Sequence, residues 1–182
     1  ETEADGVFGS DDHLFAKAVF FYDDVKDFIA PKGWFEPTTP PTVYYSSQNV
    51  GHVVRKGIEL SGTYAAGQFS TSVSYGLLHA VDKETNERMN GITPQSANLK
   101  LAYAFPAQAI NVWYRAHWSK GGESSVEDRA TGKNLHFSSF LTHSLGAEWS
   151  PKVADLANLQ AGIAVVNLFD KEYRMLNGSY GS

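Results

Sequence analysis

The amino-acid sequence predicts an all-β fold, an antiparallel up-and-down β-barrel that spans a membrane. Apolar and polar residues alternate with a period of two through most of the 182 residues, which is the pattern of strands with one apolar and one polar face. Short and long connections alternate between the predicted strands, and aromatic residues collect beside the short ones. Together these features are typical of strands that cross a lipid layer and turn tightly on one side of it.

Seven strands are predicted, over residues 14–29, 57–64, 69–79, 96–105, 109–118, 137–149 and 159–167. In the first six strands one face is apolar, with representative residues Phe20, Leu60, Val73, Leu101, Val112 and Leu145 in that order. The opposite face is polar, with Lys17, Glu59, Ser72, Asn98, Arg115 and Thr142 in the same strands. The seventh strand alternates in the same way, so a single face of the whole sheet is predicted to be apolar.

The connections between these strands fall into two kinds. Residues 65–68, 106–108 and 150–158 form the shorter ones, and residues 30–48, 81–94 and 119–135 form the long ones. Because the two kinds alternate along an up-and-down sheet, all long connections lie at one end of it. A soluble barrel has no reason for this asymmetry, whereas an outer-membrane barrel has short periplasmic turns and long extracellular loops.

Aromatic residues lie where a membrane interface would hold them. Those beside the short connections are Tyr64, Phe69, Tyr103, Phe105 and Trp149, and those expected nearer the long loops are Tyr75, Trp113 and Trp118. Such rings favour the interface because one side is apolar while the hydroxyl or indole N–H can form a hydrogen bond.

Composition excludes several classes of protein. The net charge is −5, so the basic stripe of a nucleic-acid-binding protein is missing. No cysteine occurs, which excludes a disulfide framework and a thiolate metal site. Residues 1–5 are acidic and polar, unlike the start of a signal peptide. No apolar run approaches the roughly 18 residues of a membrane helix, but barrel strands escape this measure because only every second residue faces lipid.

The charged residues of the polar face are predicted to point into the lumen of the barrel. They are Lys17, Glu59, Lys100, Arg115, His117 and Glu148. An Arg or Lys on the lipid face at mid-depth costs about 2–4 kcal/mol, whereas in an aqueous lumen the same charges can stay solvated or pair with each other.

Residues 167–174 carry a string that is similar to the NLFDKxYR signature near the C-terminus of TonB-dependent receptors. The matching residues are Asn167, Leu168, Phe169, Asp170, Lys171 and Tyr173, with Arg174 in the last position. Residues 22–29, 57–60 and 93–99 also resemble strand motifs of that family. The resemblance covers nearly the whole chain.

The resemblance implies that residues 1–182 are the C-terminal portion of a receptor barrel in the bacterial outer membrane. The family barrel has 22 strands, so the seven strands would be its fifteenth to twenty-first. The plug domain, the TonB box and the last strand are then expected outside this chain, and the charges of the lumen would pair with the plug or guide a cargo. A seven-stranded piece leaves two unpaired edges in lipid, which costs several kcal/mol for each unsatisfied backbone group.

The resemblance also implies active uptake of a scarce nutrient, such as an iron–siderophore or haem complex. TonB and its inner-membrane complex supply the energy through the plug. The other expected partners are the small-molecule cargo, a protein that delivers it, and outer-membrane lipid, with no nucleic acid. The iron complex or haem is cargo and no resident cofactor is expected.

The loop residues Trp34, Phe35, Tyr44 and Tyr45 are the candidates for cargo binding. They would either stack on a flat cargo or pack one loop against its neighbours. His79 and His136 lie at strand ends near the long loops, where a histidine could be an axial ligand if the cargo were haem. The six histidines match no zinc motif, and no nucleophile motif occurs, so neither a metal site nor an enzyme is predicted.

Two other classes stay open at this point. One is a small self-contained outer-membrane barrel with a structural or adhesive role, which would need an even number of strands, normally eight. The other is a soluble β-barrel that binds a small ligand, in which the apolar side chains would meet in a water-free core.

Overall fold

A computed structural model describes residues 1–9, 11–36, 42–151, 159–175 and 180–181. Every regular element in these ranges is a β-strand. In the same ranges, no helix has the length and apolar character needed to cross a membrane.

Seven strands form the continuous antiparallel part of a ten-stranded sheet in the described ranges, and we call this part the wall. They are β2 (Asp12–Glu36), β3 (Thr42–Ala66), β4 (Phe69–Asp82), β5 (Gln95–Phe105), β6 (Ile110–Ser119), β9 (Phe140–Trp149) and β10 (Ala161–Val165). The seven predicted strands are all present, each joined to the one before it in the chain order. The up-and-down topology is therefore confirmed.

Five further strands are short. They are β1 (Thr2–Asp5), β7 (Gly122–Asp128), β8 (Lys133–Phe137), β11 (Tyr173–Arg174) and β12 (Tyr180–Gly181). Strand β1 pairs with the start of β2, β7 pairs with β8, and β11 pairs with β12.

The long connections hold more structure than the sequence predicts. Strands β2 and β3 continue through the predicted loop 30–48 as a paired ribbon that reaches Glu36 opposite Thr42. The predicted loop 119–135 contains β7 and most of β8, which ends at Phe137, and the predicted strand 137–149 is interrupted at Ser138 and Ser139. These elements form where the alternation of apolar and polar residues is weak, because hydrogen bonds between paired strands stabilise them. In the connection 150–158, residues 152–158 lie outside the described ranges.

Side chains of the wall alternate between two faces, apart from a register shift at Asp27 in β2, and the apolar face is open. Phe20 and Ile163 are each 75% exposed and Val73 is 51% exposed, although all three lie in mid-strand. The described apolar core is small and lies at the long-loop end, where Val53 packs with Ala30 and Val50. A soluble barrel or sandwich would bury the apolar face, so this sheet has the surface of a membrane wall.

Aromatic side chains collect on the apolar face beside the short turns, as predicted. Phe69 pairs with Tyr103 in the ladder, and the rings of Tyr103 and Phe105 meet edge to face at 4.8 Å. The expectation for Trp113 was wrong. It lies in the short-turn half of β6, on the polar face, and is buried opposite Gly146, whose missing side chain makes room for the indole.

Asp12 organises the turn between β1 and β2, beyond the aromatic residues and outside the part of the wall that faces lipid. Its carboxylate accepts hydrogen bonds from the amides of Val7 and Phe8 and from the hydroxyl of Tyr64. Burial by itself raises the pKa of Asp12, but these donors outweigh it and hold the pKa below its usual value.

Candidate functional site: the concave face and the long-loop end

The polar face of the wall is concave and lines a cavity of about 550 Å³ that extends from β2 to β9. The strand register builds it, because one row of the ladder contains polar residues from six strands. The row consists of Lys17, Ser61, Ser74, Asn98, His117 and Thr142. Period-two alternation in each strand, combined with this register, gives a continuous polar surface.

Hydrogen bonds link the side chains of this row. His117 Nδ1 lies 2.7 Å from Asn98 Oδ1, and Asn98 Nδ2 donates to Ser74 Oγ at 3.1 Å. The amide of Asn98 therefore holds the imidazole and the hydroxyl in fixed positions across three strands.

A second row, one step closer to the short turns, places Lys100 directly opposite Arg115. Like charges in a cross-strand pair repel each other. The guanidinium of Arg115 is held by the ring of Trp113 at 4.6 Å, and the indole N–H of Trp113 donates to Glu148 Oε1 at 3.1 Å. The cationic floor of the cavity is thus supported by an aromatic ring and a carboxylate.

All six residues predicted to face the lumen lie on this concave face. Lys17 also forms an ion pair with Glu1 at 3.7 Å. Glu59 lies one row nearer the long loops and Glu148 near the short turns. The structure brings Lys100, Arg115 and His117 together at one cavity and leaves Glu59 outside it.

The β7–β8 hairpin lies beside β2 near the described end of the β2–β3 ribbon. Residues 33–35 of β2 pair in parallel with residues 126–128 of β7, although β7 follows β6, which is four strands away in the wall. Val126 and Ser124 of β7 are almost completely buried. Ion pairs join Lys32 to Glu127 at 3.7 Å and Glu36 to Arg129.

The aromatic loop candidates occupy this ribbon. The rings of Trp34 and Tyr44 stack at 5.5 Å with 15° between their planes, and Arg129 lies over the Trp34 ring at 4.9 Å. Trp34 therefore packs one loop against another, which is one of its two predicted roles. Tyr44 and Tyr45 keep 43% and 54% of their surface exposed, and the side chain of Phe35 lies outside the described part.

The two candidate histidines lie in different places. His79 is on the apolar face, opposite Lys56 in the ladder. His136 is exposed at the long-loop end, where its Nδ1 lies 3.0 Å from Glu123 Oε1. The structure does not bring them together, and in the described ranges no three His, Cys, Asp or Glu side chains are grouped closely enough to hold a metal ion.

The signature string forms a clamped turn after β10. Asn167 and Asp170 have φ angles of 51° and 48°, a left-handed conformation that asparagine and aspartate tolerate better than most residues. The side chain of Asn167 donates to the carbonyl of Lys171 and accepts from its amide, at 3.1 and 3.0 Å. The motif thus stops the strand and redirects the chain.

The same segment forms one side of a cleft of about 700 Å³ at the long-loop end. Tyr173 stacks on Phe140 with 4.2 Å between ring centroids, and Arg174 lies over the ring of Phe137 at 5.8 Å. His136 lines the cleft. Sequence reasoning missed this site, because the break at Ser138 and Ser139 that opens it gives no signal in the alternation.

Comparisons with known proteins agree with this architecture. A family model described as "TonB dependent receptor-like, beta-barrel" matches residues 3–168. Heme/hemopexin utilization protein C of Haemophilus influenzae (strain 86-028NP) is 24% identical over 173 residues, which cover 93% of this chain and 24% of that protein. The chain spans about a quarter of the length of the curated relatives it matches.

Solved structures show the same fold. The copper transporter OprC superposes with a TM-score of 0.67 at 19% identity, over 93% of this chain and 26% of the other. The FrpB iron transporter from Neisseria meningitidis (F3-3 variant) gives 0.65 at 18% identity, over 92% and 26%. At such identities the likeness concerns the fold alone.

Proposed function

The chain belongs to the TonB-dependent receptor β-barrel family, and from that premise we propose that it supplies wall strands and extracellular loops to a receptor that takes up a scarce nutrient. The chain is part of a β-barrel of the bacterial outer membrane. Family and structural neighbours are transporters and receptors.

One observation carries the proposal. The wall is a single sheet with an open apolar face, a polar concave face and all its long connections at one end. Lipid on the outside and an aqueous lumen inside account for both faces at once. A soluble ligand-binding barrel is disfavoured, because it would expose the apolar side chains of Phe20 and Ile163 to water.

The rest of the receptor is also part of the proposal. The chain spans about a quarter of its curated relatives, and residues 167–174 resemble the signature near the C-terminus of the family. We therefore assign residues 1–182 to the C-terminal portion of a barrel of about 22 strands. The plug and the last strand would come from the remainder of the protein. TonB and the inner-membrane complex would act on that plug, and cargo would pass along the concave face.

Haem or an iron complex is the proposed cargo, and a haem-carrying protein is the proposed partner. Three curated relatives have the name heme/hemopexin utilization protein C, and FrpB is an iron transporter. At the long-loop end, Tyr44, Tyr45 and His136 are exposed and accessible to a flat aromatic cargo. Stacking on the tyrosines and ligation by His136 would use the chemistry that haem offers.

Growth on defined iron sources tests this function. Deleting the receptor gene should abolish growth of the source bacterium on haem or haem–protein complexes under iron limitation, and the intact gene should restore it only in a strain with TonB. The complete receptor should bind haem. If growth on every haem and ferric-siderophore source is unchanged by the deletion, the uptake proposal fails and a structural or adhesive barrel is favoured.

Residue-level controls are available in the chain. His136→Ala should weaken haem binding by the intact receptor and change its visible absorption spectrum, while His52→Ala should leave both unchanged because His52 is bound to Asp24 at 2.5 Å on another part of the wall. An unaltered spectrum in His136→Ala would remove this histidine from the cargo site without affecting the rest of the proposal.

A further inference from the structure

A basic cluster lies on the outer face of the wall at the long-loop end. Lys56, His79, Arg88 and Lys120 line a cavity of about 490 Å³ there. The ladder places Lys56 opposite His79, and an isolated bridge places Arg88 opposite Val81 on the same face. Lys120 joins them because its amide donates to the carbonyl of Gln95.

The floor of this cavity is apolar. Phe20, Ile58 and Leu77 form one ladder row just below the cations, and Phe20 is 75% exposed. The cavity therefore offers apolar contact on the side toward the middle of the wall and positive charge on the side toward the loops.

The cations of the cluster have no acidic partner in the described part of the chain. No carboxylate lines the cavity, although acidic residues outnumber Lys and Arg in the sequence by 20 to 15. None of Lys56, Arg88 and Lys120 takes part in the ion pairs found. Asp24, on the same face of β2, is already bound to His52 at 2.5 Å.

The height of the cluster matches the edge of the apolar band. Eight residues along β3 separate Lys56 from Tyr64, and ten along β4 separate His79 from Phe69. At about 3.3 Å per residue and a strand tilt of about 40°, these spans rise roughly 20–25 Å. An outer-membrane barrel has an apolar band about 25 Å tall, so the cluster lies at the opposite interface from the aromatic residues.

From this juxtaposition we infer that the cluster binds the phosphorylated headgroup of an outer-leaflet lipid, whose acyl chains lie on the row of Phe20, Ile58 and Leu77. Basic side chains near a membrane surface attract anionic headgroups, with about 1 kcal/mol from each cation, and their long stems can follow the apolar surface while the charge reaches the interface. The inference goes beyond uptake, since it concerns the face of the wall turned away from the cargo.

Native mass spectrometry of the intact receptor in detergent tests the site with diphosphoryl lipid A as the probe. The receptor should retain this lipid in preference to monophosphoryl lipid A and to zwitterionic phosphatidylcholine. The double variant Lys56→Gln, Lys120→Gln should bind it about thirtyfold more weakly, which corresponds to two lost cations at about 1 kcal/mol each. The matched control Lys83→Gln, Lys133→Gln removes two exposed lysines outside the cavity and should bind as the unaltered receptor does.

Two outcomes would overturn the site. The first is that the two double variants bind lipid A equally well, whether or not they bind it more weakly than the unaltered receptor does. The comparison is made when both variants show the heat-modifiable gel migration of a folded barrel. The other is displacement of bound lipid A by millimolar inorganic phosphate, which would indicate a site for a soluble anion. Haem uptake that persists in either variant leaves the proposed function intact, so the two proposals fail separately.

Discussion

Val73→Arg puts a guanidinium in the middle of the open apolar face. Val73 lies in β4, four residues above Phe69 and six below His79, in one ladder row with Gly62 and Leu99. Four residues of a tilted strand rise roughly 10 Å, which is near the centre of a band about 25 Å tall. The substitution therefore tests lipid contact at the depth where a charge is most unfavourable.

The expected loss of stability is about 2–4 kcal/mol, the cost of Arg on a lipid face at the bilayer midplane. Thr63→Arg is the matched control, because Thr63 follows Gly62, the ladder partner of Val73, and its exposed side chain lies on the concave face. An exposed substitution that disturbs no hydrogen bond typically changes stability by less than about 0.5 kcal/mol. The two variants add the same charge at nearly the same height, one on the apolar face and one on the concave face.

Equilibrium unfolding of the complete receptor by urea in phosphatidylcholine vesicles measures the difference, with tryptophan fluorescence and gel migration as readouts. Val73→Arg should unfold at clearly lower urea than the unaltered receptor, and Thr63→Arg close to it. If both variants change stability by less than about 0.5 kcal/mol, the apolar face does not contact lipid and the membrane wall is refuted.

Three further predictions concern the turns and the loops. Asn167→Ala should speed amide exchange in the signature segment more than tenfold, because it removes two hydrogen bonds to Lys171 and keeps a φ angle that is unfavourable for alanine. Asn167→Gly should have a smaller effect, because glycine adopts this φ angle without strain. If amide exchange in Asn167→Ala equals that of the unaltered receptor, the two hydrogen bonds do not stabilise the turn. Replacing residues 122–137 by a short Gly–Ser linker should preserve barrel migration but lower haem affinity at least tenfold by calorimetry, and unchanged affinity would exclude the hairpin from the cargo site. Asp12→Asn should lower the unfolding midpoint at pH 7. Since the folded-state pKa of Asp12 lies below its usual value of about 3.9, its ionised form stabilises the turn above that value and the benefit is lost as pH falls through the lower pKa, so the two proteins should converge in acid; a constant difference from pH 7 to acid would contradict this role.

The wall could be predicted because its strands depend on local pattern. Alternation in each of the seven segments is set by which side meets lipid, so parity alone assigns Lys100 and Arg115 to one face and Leu101 to the other. The β7–β8 hairpin could not be found this way. Its pairing with β2 is a tertiary contact, and Val126 is the only large apolar residue in β7.

The sequence predicted which types of residue form the candidate site, but it did not predict which of these residues contact each other. The exposed face of each strand followed from the sequence, and so did the aromatic character of the ribbon. The stacking of Trp34 on Tyr44 under Arg129 required the register of two strands and a third segment from far along the chain. His79 is a different case, because parity with Val73 and Leu77 already assigns it to the apolar face, and only its nearness to a long loop made it a cargo candidate.

The pairing of the β7–β8 hairpin with β2 also sets an order of assembly. Glu36 and Arg129 are 93 positions apart in the chain, and every wall strand from β3 to β6 lies between them. Loop-closure entropy favours making near contacts before distant ones, so the contact between residues 33–36 and 126–129 should form only after the intervening strands have paired. By the same reasoning this contact should be the first to open, ahead of the ladder between neighbouring wall strands.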